Sequence, residues 1–249
     1  MILSVLIQLA INGLSMAMVY VLLASGLNLI LSVPKILYVA YGVFYMLGAY
    51  ITWGFMVLWD LPFAVGLLAA VLIPAILGGS VYRLVFIYIQ YQERQFLTNI
   101  VAATGLSMIM GQAALLIFGT SPRGIPQIFT GVVVVGPLRL SVQRLVLILL
   151  TLAVLIALHF FLQRTRTGRA MRATAFNPEV AALQGVNANL VYMAAMGVGC
   201  GLAGFAGGVM APEFAVSTEM ANVTLYVLLV VMLGGVGSMP GAIVAGLIV

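Results

Sequence analysis

Long apolar runs separated by short polar intervals set the elements of this chain. The first 34 residues carry no charged side chain, and Lys35 is the first ion. As a helix rising ~1.5 Å per residue, that run would be about 50 Å long, against a bilayer hydrocarbon core of ~30 Å. It is therefore tilted, broken or preceded by an interfacial segment, with Asn12-Gly13 and Gly26 as the expected irregular points. A second span is expected over 36–58, and a tight turn at Trp59-Asp60-Leu61-Pro62. A third span follows over 63–82, kinked by Pro74 because proline breaks the helical ladder. The interval 83–95 reads as a polar connection with Glu93 and Arg94, and 96–118 as a fourth span. A long loop rich in glycine and proline, with Pro126, Gly136 and Pro137, occupies 119–141. A fifth span is expected over 142–162 and a sixth over 190–211. The last apolar stretch starts at 223, breaks at GGVGSMPG over 234–241, and resumes to Val249. Ending within an apolar segment, the chain reads as incomplete at its carboxyl end.

Composition fixes the class. Hydrophobic residues make up 64% of the chain and charged residues 6%, with a mean hydropathy of +1.25. Such a chain is an integral membrane protein. The runs are continuous rather than alternating, which selects helices over a barrel. The fold class is all-α: one polytopic transmembrane bundle over 1–249, with about seven or eight spans at ~20 residues each, surrounded by membrane lipid.

The formal charge of +5 then bears on topology rather than on nucleic acid, since no basic patch is interleaved with exposed aromatics. With 163–189 in the cytoplasm, seven basic residues fall inside: Lys35, Arg83, Arg94, Arg164, Arg166, Arg169 and Arg172. Three fall outside: Arg123, Arg139 and Arg144. The positive-inside bias agrees, and the amino terminus is then external.

The stretch 163–189 is the one long polar interval. Its second half carries a compact helix signal. Asn177 can cap, Pro178 suits the first helical position, Glu179 sits at the positive end of the dipole, and Gly185 offers a stop. A helix of about two turns between two spans suits a docking surface, with an ordinary basic topology-setting loop as the alternative.

Bond chemistry has no constellation here. The single histidine and the single cysteine, His159 and Cys200, leave no HExxH site, no intrachain disulfide and no cysteine zinc site. A P-loop sequence is absent, and all five acids fall in or near loops. No catalytic residue and no metal ligand is assigned. A conduit is the better class, because polar residues at membrane depth face the bundle interior or a cavity. The neutral set is Asn12, Asn28, Asn99, Thr104, Ser107, Gln112, Asn222 and Thr224. Hydrogen bonding between helices is the alternative role for any one of them. Gly197/Gly201 and Gly204/Gly208 are spaced four apart, which lets helices approach closely.

Four regions together resemble a known family. They are GLNLILSV at 26–33, YGVFYMLGAY at 41–50, TGRAMRATAFNPEVAALQGVN at 167–187 and VVMLGGVGSMPGAIVAGLIV at 230–249. In order and separation they resemble the permease subunit of branched-chain amino-acid (Leu/Ile/Val) ABC importers, within a wider group that includes urea and sugar permeases. The chain departs from that pattern at Tyr38 and Tyr41, where relatives carry Asn and His. The resemblance implies a cytoplasmic loop that contacts an ATPase, with contact residues Gly168, Arg169, Arg172, Asn177, Pro178, Glu179 and Gly185. It implies a second permease, two ATPase subunits that hold the ATP, and an extracytoplasmic substrate-binding protein at a bacterial inner membrane. No cofactor is expected in this chain itself. For the substrate pathway, Asn28, Tyr41, Thr104, Ser107 and Asn222 are the candidates. An ion-coupled secondary carrier is the rival class.

Overall fold

The computed structural model describes residues 2–90, 95–125, 131–135 and 138–249. Glu93 and Arg94 of the expected polar connection lie outside the described residues, as do Pro126, Gly136 and Pro137 of the long loop. Eleven α-helical segments are described, most of them apolar throughout. They are α1 (Ile2–Ser32), α2 (Tyr41–Trp53), α3 (Phe63–Val81), α4 (Ile87–Ile89), α5 (Gln95–Phe118), α6 (Val142–Arg164), α7 (Arg166–Phe176), α8 (Pro178–Leu183), α9 (Ala188–Met210), α10 (Val223–Gly234) and α11 (Met239–Ile248). A π-helical turn, Gly54–Leu58, extends α2. Another, Tyr82–Phe86, joins α3 to α4.

Six of the described helical stretches are long and apolar enough to cross a membrane, and two shorter apolar helices occupy 218–234 and 239–248. Helix therefore dominates, as expected, and the seven-to-eight count resolves into six full spans plus a broken pair. Four local expectations change. The first helix runs unbroken through Asn12-Gly13 and Gly26. The third span, with Pro74 inside it, is longer than expected and reaches Ile89 by way of the π turn. The loop 119–141 contains a small antiparallel hairpin, β1 (Val132–Val135) with β2 (Leu138–Ser141), in which Val132 pairs with Ser141. Finally, α7 precedes the helix expected after Asn177, so the polar stretch holds two helices.

Helix α9 is the centre of the bundle, and its glycines explain why. Gly197, Gly201, Gly204 and Gly208 turn towards α3 and its surroundings: a Cβ on Gly197 would stand 3.1 Å from the Ala75 carbonyl, and one on Gly208 3.1 Å from the Ala70 Cβ. Gly199 faces α1 instead, where a Cβ would lie 2.9 Å from the Gly26 carbonyl. Gly207 lies against the backbone of Tyr45 on α2. Close approach is thus the role of the GxxxG spacing. Pro74 adds to it. Having no N–H, it cannot bond the Ala70 carbonyl one turn back, and that oxygen lies against Gly204.

Two polar links tie the broken helix pair into this core. The Gly42 N–H donates to Thr224 Oγ1 (2.8 Å), and the Gly237 N–H donates to Asn28 Oδ1 (2.6 Å). Gly235 and Gly237 take φ of +85° and +88°, a region that favours glycine, so the turn between α10 and α11 depends on them.

The charges sort to two ends. At one end the Gln90 amide donates to the Pro34 carbonyl beside Lys35. Arg83 lines the same recess as Asn187 and Asn189. At the other end Arg144 pairs with Glu213 (2.7 Å) and donates to Asn12. There Arg123 exchanges two backbone hydrogen bonds with Val216 (2.9 and 2.8 Å) and lies over the Trp53 ring.

Candidate coupling face and translocation seam

The polar stretch folds into a helix pair with a cap at each junction. Thr165 opens α7, its hydroxyl accepting from the Gly168 N–H (3.0 Å). Gly168, Met171 and Thr174 form the buried stripe of α7, at the three-residue spacing of one helix face. A Cβ on Gly168 would strike the backbone of Leu162, so this glycine sets how tightly α7 folds against α6. Asn177 ends α7 and caps α8. Its N–H donates to the Ala173 carbonyl, while its side chain accepts from the Glu179 and Val180 N–H groups (2.9 and 3.2 Å). Pro178 fills the first position of α8, and Glu179 lies in the first turn. Gly185, at φ +79°, closes α8. Its N–H donates to Ala182 and that of Val186 to Ala181, the Schellman pattern of a helix end. Every capping role read from the sequence is present.

Arg166, Arg169 and Arg172 face away from the buried stripe and border a groove of about 880 Å³ between α7 and α8. Three apolar side chains share that outer surface: Phe176 is 93% exposed, Leu183 88% and Val180 54%. Sequence reading missed these three. Their signal was an apolar residue recurring within a polar interval, at 176, 180 and 183. Exposed apolar side chains beside a rim of arginines make this a candidate interaction face. Replacing Asn177 with alanine leaves two N–H groups of α8 uncapped, at a cost of about 1 kcal/mol. Amide exchange over 178–184 should then run about fivefold faster, with exchange in α9 unchanged.

The pathway candidates separate into two groups. Asn28, Tyr41 and Asn222 lie on or beside the seam between α1 and α10–α11. Asn222 lines a cavity of about 340 Å³ at the Glu213 end. Asn28 is buried and holds the α10–α11 turn. Tyr41 is buried against Gly26, and its hydroxyl has no hydrogen-bond partner among the described residues; the same holds for Tyr38. These are the two positions where the chain departs from its resemblance. Thr104 and Ser107 are elsewhere, on α5. Thr104 is exposed and bonds back to the Ile100 carbonyl of its own helix (2.8 Å), and Ser107 is half-buried.

A second cavity on the seam, of about 700 Å³, lies at the Lys35 end. It is bounded by Leu29 and Ser32 of α1, Met171 and Arg172 of α7, and Gly237 and Ser238 of the turn. Between the cavities the seam is closed by side chains with no exposure, among them Leu27, Val227 and Val230. From Leu23, which lines the first cavity, to Leu29, which lines the second, α1 advances by about 9 Å.

A multi-span helical bundle with an arginine-rimmed apolar face at one end, and a closed seam with a cavity at each mouth, is the form of a membrane transport permease. The chain belongs to the family described as branched-chain amino acid transport system / permease component, which it matches over residues 9–249. It is similar to the high-affinity branched-chain amino acid transport system permease protein LivH of Escherichia coli and of Salmonella typhimurium. In each case the identity is 28% over 260 residues, covering 95% of this chain and 81% of the relative. It is also similar to BraD of Pseudomonas aeruginosa, a permease protein of the same description, at 26% identity over 259 residues, covering 97% of this chain and 83% of the relative. No solved structure matches.

Proposed function

We propose that this chain is the membrane-spanning permease of an ATP-driven importer that carries branched-chain amino acids across the bacterial inner membrane. The observation that carries the reading is the α7–α8 pair, where Phe176, Val180 and Leu183 stand exposed beside Arg166, Arg169 and Arg172. In this reading the 163–189 end is cytoplasmic, in line with the charge bias, and the amino terminus is external. Two ATPase subunits dock on the α7–α8 face and hold the ATP, and a second permease completes the membrane part. An extracytoplasmic binding protein delivers the amino acid to the opposite end. ATP binding moves α7. Because Met171 and Arg172 share the inner cavity with Gly237 and Ser238, that motion reaches the α10–α11 turn. The coupling is mechanical, and no residue of this chain makes or breaks a bond.

Gentle purification of the tagged chain from its own host tests this. ATPase activity should co-purify, and proteoliposomes should take up leucine only with ATP. Glu179→Arg places a cation at the positive end of α8 and beside the arginine rim. Uptake by that variant should fall several-fold while insertion into the membrane is unchanged. A chain that purifies alone and moves leucine on an ion gradient without ATP would overturn the reading.

A further inference from the structure

The cavity at the Glu219 end combines apolar side chains with a few polar ones. It lies where the middle of α1, Tyr45 of α2, the end of α9 and the 214–226 segment converge. One wall is apolar and deformable, with Met16, Leu23 and Met210. Methionine and leucine of this kind accommodate branched side chains of several shapes. The polar lining comes from Ser217, Glu219 and Asn222 of the 214–226 segment. None of those three side chains is engaged in a hydrogen bond or ion pair among the described residues.

Glu219 contrasts with its neighbour Glu213. Both acids belong to the same connection, yet Glu213 is neutralised by Arg144 at 2.7 Å and Glu219 has no cation on the cavity wall. An unpaired carboxylate at the mouth of a mostly apolar cavity attracts a ligand that brings its own positive charge. The Ser217 hydroxyl and the Asn222 amide are donors on the same wall, as a ligand carboxylate requires. A small apolar cavity with a few convergent polar groups is the usual form of a small-molecule site.

We propose that this cavity is the amino-acid subsite of the permease, with the Glu219 carboxylate taking the α-ammonium group, Asn222 and Ser217 facing the carboxylate, and Met16, Leu23 and Met210 taking the side chain. The proposal rests on the transport function argued above, and adds where and by which groups the substrate is held. It accounts for specificity in both directions. Glu219 stands exposed at the rim, and its charge favours solutes that carry an ammonium group over neutral ones. The apolar wall separates leucine, isoleucine and valine only weakly, since a methylene more or less changes little in such a pocket. Access from this cavity to the one lined by Arg172 requires the segment at Leu27, Val227 and Val230 to part.

The test uses the assembled transporter in proteoliposomes. Cys200, the one cysteine of the sequence, is buried, so a single reporter can be added. Ala215→Cys places a thiol on the exposed part of the cavity rim with little change in volume. Its rate of labelling by a membrane-impermeant maleimide is measured with leucine and with 4-methylpentanoate, which has the same carbon branch and carboxylate but no amine. Leucine should slow labelling and 4-methylpentanoate should not. In Ala215→Cys/Glu219→Gln the leucine concentration for half-protection should rise about tenfold, and Glu219→Asp should recover part of that loss. Labelling that leucine leaves unchanged, in vesicles whose ATP-driven leucine uptake is normal, would overturn the subsite and leave the transport reading standing. Equal protection by both compounds, or protection unaffected by Glu219→Gln, would overturn the role of Glu219. Vesicles that show no ATP-driven leucine uptake would overturn the transport reading itself.

Discussion

Gly204→Val is expected to abolish the assembled bundle. A Cβ at this position would stand 2.6 Å from the Pro74 ring and collide with the Ala70 carbonyl. On its other side the Gly204 backbone lies directly against Gly48 of α2. A side chain that meets flexible neighbours can be accommodated, but here the nearest obstacle is a backbone carbonyl and the others are atoms of a proline ring. The helices must separate, and the loss should reach about 3 kcal/mol or more, the upper end for an overfilled core. Detergent-solubilised Gly204→Val should lose its monodisperse chromatographic peak. Gly105→Val on α5 is the matched control, because a Cβ there meets nothing within 4 Å, and it should migrate as the parent does. A monodisperse Gly204→Val with an unchanged melting temperature would show that α9 is not the packing centre.

Asn28→Leu has the second largest expected effect, and it acts on one turn rather than on the whole fold. The Asn28 side chain is buried in α1 and accepts the Gly237 N–H at 2.6 Å, which ties the α10–α11 turn to the first helix across 209 positions of sequence. Leucine conserves approximate size and removes the acceptor. The net value of such a bond is about 1–1.5 kcal/mol, so the detached turn should become about tenfold more populated. Amide exchange at 235–241 should accelerate accordingly, while exchange in α9 stays as in the parent. If ATP-driven uptake falls together with that local change, the turn is part of the transport cycle. Unchanged exchange at 235–241 would show that Asn28 does not hold it.

The two positions show what a sequence reveals and what it conceals. Gly204/Gly208 and Gly197/Gly201 were legible as close-packing pairs because spacing by four is a property of one helix. The partner was not legible: that Pro74 frees the Ala70 carbonyl and directs α3 onto Gly204 is a fact about two helices. Asn28 was legible only as a polar residue in an apolar run, with its partner at Gly237 supplied by the fold. The caps at Asn177 and Gly185 were read correctly because capping is decided within a few residues. The same reading missed α7, whose arginines and threonines look like a loop until its buried stripe of Gly168, Met171 and Thr174 has α6 to lie on. The hairpin at 132–141 was hidden by the turn-forming residues around it. Thr104 and Ser107 satisfied the spacing rule for a shared face, but spacing does not say whether that face turns inward. On α5 Thr104 turns outward.

Phe176, Val180 and Leu183 have a consequence for the life of the chain in the cell. Their side chains stand exposed in the stretch between two spans, which the importer reading places at the cytoplasmic surface. Bare hydrocarbon in water is the signature by which quality-control proteases and chaperones recognise an orphan subunit. If an ATPase subunit covers this face, as proposed, a copy synthesised without it is marked for removal, and one that finds it is hidden from the same surveillance. The amount of permease in the membrane would then follow the supply of its soluble partner, whatever the rate at which the permease itself is made.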